Sequence, residues 1–142
     1  MRYLGLDLGT KTLGISITDK TNTLVTPLKV IRFEFEKYDT IIDEVKNIIS
    51  EYDIKLVVLG LPKNMDGSIG FAGERSLNFK KLLEKENIKV ELVDERLTTK
   101  SAIDIVHLNN GNEKNTKNKI DSIAACIILE SYLKRCQNVT EE

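Results

Sequence analysis

The first sixteen residues of the chain contain an aspartate inside an apolar stretch, and glycines that favour a turn follow it. Asp7 has a leucine on each side, and an unpaired carboxylate is costly to bury in such surroundings. Gly9 follows Asp7 by two residues, and a second apolar stretch begins at Leu13. This pattern predicts a strand, a tight glycine turn and an antiparallel return strand. The carboxylate needs a cation, a hydrogen-bond network or a metal ion, so function is sought first around Asp7.

Extended and helical patterns alternate along the rest of the chain. Apolar residues recur at helical spacing over 38–52, whereas 56–61 is a continuous apolar run, typical of a strand covered on both faces. The sequence predicts further strands over 24–35, 56–61 and 88–93, and helices over 38–52, 74–86, 100–108 and 119–134. Helices that link successive strands imply right-handed crossovers. We therefore predict an α/β fold with a mixed sheet and helices on both of its faces.

Length and composition restrict the class of protein. The 142 residues predict a single domain over 1–136 and a short polar tail over 137–142. No apolar run approaches the ~20 residues of a membrane span, and Asp7 interrupts the stretch that a signal peptide would need. Cys126 and Cys136 lack metal-like spacing, which favours reduced thiols in a cytoplasmic protein. The net charge of −1 does not support nucleic-acid binding by bulk charge, so such a surface would have to be local.

Three acidic residues have neighbours that are unusual for solvent-facing charges. Asp7 lies within the first strand, Glu95 follows the last strand, and Asp121 begins the final helix. Ala124 and Ala125 would let that helix lie close to the sheet and bring Asp121 over the strand ends. Sites in open α/β sheets collect outside the carboxyl ends of the strands. We therefore expect the three carboxylates to converge at one edge.

Neighbouring carboxylates repel one another unless a cation is present, and hard oxygen ligands suit Mg²⁺ or Mn²⁺. Two such ions about 4 Å apart activate water and stabilise the leaving oxygen in phosphodiester cleavage. The three acids are therefore candidate catalytic residues and candidate metal ligands.

Each acid also has a structural interpretation. Asp7 could be a buried carboxylate that pairs with Lys11, and Asp121 could complement the dipole of its helix. Glu95 could pair with Arg96 at the surface.

Basic, amide and hydroxyl side chains near the same edge are candidates to bind nucleic acid: Lys11, Asn64, Arg75, Arg96, Thr98, Thr99, Lys117 and Lys119. Lys11 lies on the glycine turn, and a guanidinium with nearby hydroxyls forms a plausible phosphate cradle. The alternative is ordinary solvated surface charge, and the Asp66-Gly67 pair after Asn64 is also a good turn sequence.

Four stretches together resemble the YqgF family (also called RuvX), the pre-16S ribosomal RNA nucleases of the ribonuclease H-like superfamily, which includes Holliday junction resolvases. They are Gly5-Leu-Asp-Leu-Gly-Thr-Lys, Gly60-Leu-Pro-Lys-Asn-Met-Asp-Gly, Val93-Asp-Glu-Arg-Leu-Thr-Thr and Ile120-Asp-Ser-Ile-Ala-Ala. The resemblance covers nearly the full length and implies a five-stranded sheet in the order 3-2-1-4-5. It also implies a metal-dependent nuclease whose acids fall on Asp7, Glu95 and Asp121.

The substrates and partners that the resemblance implies are structured RNA, with processing of the 5′ end of pre-16S rRNA, or branched DNA. Pre-ribosomal particles would be partners, and the protein would be a monomer or a homodimer. The chain departs from the family at Thr12, where an arginine is usual, which leaves Lys11 as the basic side chain of the turn. At the end of the fourth strand, where related nucleases often have a carboxylate, the chain has Gly60-Leu61-Pro62, so Glu95 would substitute.

Two other functions fit parts of the sequence. The Asp-Leu-Gly-Thr turn also occurs as the first phosphate-binding motif of sugar kinases and Hsp70-like ATPases, but those proteins need a second lobe. A degenerate nuclease that binds RNA without cutting it is the other alternative, which Thr12 and the net charge favour and the retained acids oppose.

Overall fold

The computed structural model of the chain describes residues 2–94 and 123–136. The strands are β1 (Arg2–Leu8), β2 (Thr12–Thr18), β3 (Val25–Arg32), β4 (Ile54–Leu61) and β5 (Val90–Asp94). A 3₁₀ turn (Tyr38–Ile41) leads into α1 (Ile42–Tyr52), which is followed by α2 (Phe71–Lys85) and by helix α3 over 123–136. The strands form one sheet in the order β3-β2-β1-β4-β5. The predicted α/β class and strand order are confirmed, while the predicted helix over 100–108 and the tail over 137–142 lie outside the described residues.

The directions of the strands bring several chain segments to one edge of the sheet. β1 pairs antiparallel with β2 and parallel with β4, and β4 pairs parallel with β5. Parallel strands end at the same edge, so the carboxyl ends of β1, β4 and β5 lie together with the turn from β1 to β2. We call this edge the carboxyl edge.

The sheet has a thick apolar layer on one face. Alternate residues of β2 point to opposite faces, and Leu13, Ile15 and Ile17 all belong to the larger core cluster. Helices α1 and α2 contribute to the same cluster with Val45, Ile48, Phe79 and Leu83. Both helices therefore cover this face, and their apolar stripes explain why these segments are helical.

Helix α3 covers the opposite face and crosses β1 at a glycine. A Cβ at Gly5 would lie 2.8 Å from the carbonyl oxygen of Ala125 and 3.0 Å from Cβ of Leu129. Further along the helix, the ring of Tyr132 lies edge-on to that of Tyr3, with 6.0 Å between their centroids. The helix therefore runs antiparallel to β1, and its amino end points toward the carboxyl edge.

Several boundaries differ from those that periodicity predicts. β3 ends at Arg32 although the extended pattern continues to residue 35, because the chain turns at 34–37, where the Lys37 amide donates to the Glu34 carbonyl and Glu36 has a left-handed φ of 56°. Helix α2 begins at Phe71, three residues before the predicted start, and its first turn packs closely through Gly73. No helix in the two described stretches combines the length and apolar character that a membrane crossing requires.

Candidate active site

The candidate site is centred on Asp7, which is half-buried near the end of β1. Strand alternation places its side chain on the same face as Gly5, which is the face that α3 covers. In the register, Asp7 is opposite Gly14 of β2, and Gly60 of β4 stands one residue beyond the last paired position of the parallel ladder. Asp7 is therefore flanked by a glycine on each neighbouring strand. We call Gly14, Asp7 and Gly60 the glycine-flanked row.

The turn between β1 and β2 presents a lysine at the carboxyl edge. The amide of Gly9 donates a hydrogen bond of 2.8 Å to the carbonyl of Thr12, which closes the turn. Lys11 is exposed at the tip, whereas Thr12 is 8% exposed as the first residue of β2. The lysine thus has the solvent access that a phosphate contact needs.

Main-chain hydrogen bonds fix this turn to the segment that follows β3. The amide of Phe33 donates to the carbonyl of Lys11, and that of Glu36 donates to the carbonyl of Thr10, each at 2.9 Å. Both turn carbonyls are therefore held by backbone, and the position of Lys11 does not depend on side-chain packing alone.

Arg75, a predicted phosphate contact, forms an ion pair with a residue of the same segment. Its Nε lies 3.6 Å from Oε1 of Glu36, and the two side chains are 29% and 41% exposed. Burial raises the pKa of the neighbouring Tyr38 hydroxyl, the Arg75 charge lowers it, and the Glu36 charge raises it. Glu36 therefore joins the amino-terminal part of α2 to the β1–β2 turn, and the phosphate role of Arg75 stays a prediction.

The loop over 62–70, between β4 and α2, is closed by its own hydrogen bonds. The amide nitrogen Nδ2 of Asn64 donates to Oγ of Ser68 at 3.0 Å, and the Asn64 main-chain amide donates to the Ser68 carbonyl at 2.9 Å. Ser68 in turn donates from its main-chain amide and its hydroxyl to Oδ1 of Asp66, at 2.9 and 2.6 Å. Asn64 thus has a bracing role within the loop, and its predicted contact with nucleic acid stays a prediction.

The other predicted site residues lie outside the described residues. They are the acids Glu95 and Asp121 and the candidate nucleic-acid contacts Arg96, Thr98, Thr99, Lys117 and Lys119. Within 2–94 and 123–136, no three acidic, histidine or cysteine side chains are close enough to hold a metal ion.

Sequence reasoning missed the two glycines of the row and the part that Glu36 plays. Gly14 could have been found by pairing residues backward from the turn, because a short hairpin fixes its register. Nothing in the sequence marks Glu36, since its importance depends on a backbone conformation that only the folded chain shows.

The architecture matches that of solved resolvases. Thermus thermophilus RuvC aligns with a TM-score of 0.59 over 96% of this chain and 97% of its own, at 14% identity. Fowlpox virus resolvase in complex with Holliday junction DNA aligns with a TM-score of 0.56 over 96% and 99%, at 19% identity. The fold, with an aspartate at the carboxyl edge, defines the class: an α/β protein with a five-stranded mixed sheet that shares its architecture with these two structures.

Sequence comparison identifies the family within that class. The family model described as "RuvX: Holliday junction resolvase" matches residues 1–135. A relative from Aster yellows witches'-broom phytoplasma is 46% identical over 92% of this chain and 87% of its own length. One from Bacillus subtilis is 40% identical over 94% and 97%. Both carry the name "Putative pre-16S rRNA nuclease". The chain belongs to the RuvX family, whose relatives are named as nucleases. The resemblance seen in the sequence is confirmed.

Proposed function

We propose that the protein is a divalent-metal-dependent nuclease that cleaves phosphodiester bonds of structured RNA, in the processing of the 5′ end of pre-16S rRNA. The name shared by relatives at 40–46% identity supports this RNA as substrate. Pre-ribosomal particles in the cytoplasm would then be the setting. Residues 1–136 would form the nuclease domain and 137–142 its tail.

The observation that carries the proposal is the glycine-flanked row. Asp7 presents a carboxylate at the carboxyl edge, while Gly14 and Gly60 place no side chain beside it. A carboxylate flanked by glycines on both neighbouring strands is a hard oxygen donor, the kind of group that Mg²⁺ or Mn²⁺ prefers. The residues of the row therefore fit a divalent metal.

The direction of α3 supports Asp121 as a second ligand. The helix passes Gly5 at Ala125 and runs antiparallel to β1. From Gly5 to Asp7 the strand advances about 6.6 Å, and four residues of helix span about 6 Å. If the helix continues back from residue 123, as the sequence predicts, Asp121 would lie over Asp7.

The alternation of β5 supports Glu95 as the third ligand. Val93 pairs with Gly60 and packs with Ile128 and Leu129 of α3, so it faces the same side of the sheet as Asp7. Two residues further, Glu95 would face that side too if the strand alternation continues. It would then stand where β4 offers only Gly60 and no acid.

In the proposed chemistry, the carboxylates would bind the metal ions and a separate set of side chains would bind the phosphates. Bound Mg²⁺ or Mn²⁺, as two ions, would activate water and neutralise the charge that develops on the scissile phosphate. The three carboxylates would hold and space the ions, and Lys11 would orient the phosphate from the turn. The remaining proposed contacts to nucleic acid are Asn64, Arg75, Arg96, Thr98, Thr99, Lys117 and Lys119.

A direct test offers paired RNA and branched DNA side by side, with Mg²⁺ or Mn²⁺, to the wild type and to Asp7→Asn. We expect RNA cleavage that is lost in the variant. Metal binding has a separate readout, since Mn²⁺ should raise the melting temperature of the wild type and not of Asp7→Asn.

Preferential cleavage of the branched DNA would favour the second candidate, a Holliday junction resolvase. The family description and the fold shared with resolvases bound to junction DNA favour it. Binding of RNA without any cleavage would show a binding module instead, and ATP binding would revive the kinase-like interpretation.

A further inference from the structure

The loop over 62–70 and the start of α2 display large apolar side chains to solvent. Among the described residues, Met65 and Phe71 are each 81% exposed and Ile69 is 43% exposed. Single exposed apolar residues are common, but three within seven positions concentrate exposed apolar surface in one segment, which we call the apolar patch.

Close packing and hydrogen bonds hold the backbone of the segment that carries the patch. A Cβ at Gly73 would lie 2.7 Å from the carbonyl oxygen of Pro62 and 2.6 Å from Cγ2 of Ile69, so the first turn of α2 is pressed against the end of β4. The hydrogen bonds of Asn64 and Ser68 close the rest of the loop. Phe71 is therefore held outward by the backbone and is not the end of a loose loop.

Phe71 also shares the carboxyl edge with the candidate site. It is the first residue of α2, directly after the loop that leaves β4, which is the strand next to β1. One helical turn later, Arg75 pairs with Glu36, whose amide binds the carbonyl of Thr10 in the turn beyond Asp7. The ring of Phe71 and the carboxylate of Asp7 therefore lie on elements that are linked by the hydrogen bond and the ion pair of Glu36.

We infer that Phe71 is a stacking platform for an unpaired nucleobase of the nucleic acid held at the carboxyl edge. The inference rests on the proposed function, and it adds a requirement for a base that is free to leave its helix. Aromatic faces bind single-stranded bases by stacking, in any sequence, beside grooves that hold the backbone. A structured RNA with an unpaired segment beside the cut site has the chemistry that this surface fits.

The chain contains no tryptophan, so Phe71→Trp installs a single fluorescent reporter at the platform. Leu24→Trp is the matched control, because Leu24 is 66% exposed and precedes β3 at the opposite edge of the sheet. The probes are an RNA hairpin with an unpaired loop and a fully paired RNA duplex of equal length, in Ca²⁺. We expect the hairpin to quench the fluorescence of the Phe71→Trp variant and the duplex to leave that fluorescence unchanged. The control should respond to neither.

Two further variants separate stacking from general apolar contact. Phe71→Leu keeps apolar bulk without an aromatic face, and Phe71→Tyr keeps the ring. We expect the leucine variant to bind the hairpin about tenfold more weakly and the tyrosine variant to stay within about twofold of the wild type.

The outcomes distinguish this inference from the proposed function. Quenching by the hairpin with no cleavage by the wild type would support the platform and reject the nuclease. Cleavage that depends on Asp7, with no quenching and equal affinities for all variants, would overturn the platform alone. A dimer in sedimentation that Phe71→Leu dissociates, with unchanged affinity for RNA, would show a contact between copies and also overturn it.

Discussion

The hydroxyl of Ser16 on β2 donates a buried hydrogen bond of 2.8 Å to the main-chain carbonyl of Ala125 on α3, residues separated by 109 positions. Ser16 pairs with Gly5 across the sheet, so the bond lies beside the place where the helix crosses β1. The polar bond and the bare glycine together set how closely α3 approaches. This close packing sets the direction of the α3 axis, whose amino end points toward Asp7.

Gly5→Ala should destabilise the protein, because the new Cβ would collide with the Ser16 hydroxyl and with the Ala125 carbonyl. We expect the free energy of unfolding to fall by about 2–3 kcal/mol, in the upper part of the usual range for overpacking a core. Urea denaturation measures it. In the control Gly70→Ala the nearest atom is the side-chain amide oxygen of Asn64, at the longer distance of 3.3 Å, so the change should stay below about 1 kcal/mol. Equal losses in both variants would contradict the close approach of α3.

Asp7→Asn should lower the rate of RNA cleavage more than about a hundredfold, because it would remove a charged ligand from the proposed metal site. The free energy of unfolding should not fall, since the two side chains have nearly the same volume. Asp39→Asn, an exposed change on the 3₁₀ turn, is the control and should leave the rate unchanged. Single-turnover cleavage in Mn²⁺ provides the rate, and urea denaturation provides the stability. Substantial residual cleavage by Asp7→Asn would reject the assignment of this residue.

Glu36→Gly should leave the free energy of unfolding unchanged or raise it by up to about 1 kcal/mol. Glycine adopts the φ of 56° without strain, and the ion pair that is lost joins two partly exposed side chains at 3.6 Å. Glu36→Gln loses the charge and keeps the strain, so it should be slightly less stable than the wild type. A loss above about 2 kcal/mol in the glycine variant would mean that the carboxylate stabilises the fold far more than its exposure suggests.

Stability should fall as the pH rises from about 9 to about 11, because of Cys126. Burial, with a smaller effect of the Glu130 charge, raises the pKa of this thiol from 9.0 to about 11. The unfolded thiol ionises first, so protons leave the unfolded state and the free energy of unfolding drops through this window by about 2–3 kcal/mol. Cys126→Ala should show a shallower decline in urea denaturation across the same pH range. Identical slopes would show that the thiol does not contribute.

Local patterns were sufficient for much of the fold. The Gly9 turn, the apolar alternation of β2 and the helical period over 38–52 each indicate their element, because each depends on neighbours in sequence. The strand order came instead from resemblance to a family. Periodicity alone does not choose which strands become neighbours.

The site was predictable only in part, for a physical reason. Asp7 stands out because a charge in an apolar strand is locally anomalous. The crossing of Gly5 by Ala125 and the left-handed backbone at Glu36 arise from tertiary contacts, which leave no local signature in a single sequence. The same holds for Phe71, which lies before the predicted start of the second helix and whose ring is 81% exposed in the fold.

The glycine-flanked row has a further consequence for how the site tolerates change. Hydrogen-bonded strands lie about 4.8 Å apart, so the interval from β2 to β4 across Asp7 is about 9.6 Å. Backbone hydrogen bonds between the strands set this distance, so substitutions of side chains elsewhere do not change it. Substitutions in the surrounding sequence can therefore change which substrate enters the site, while the distance from β2 to β4 stays the same, provided that positions 14 and 60 remain glycine.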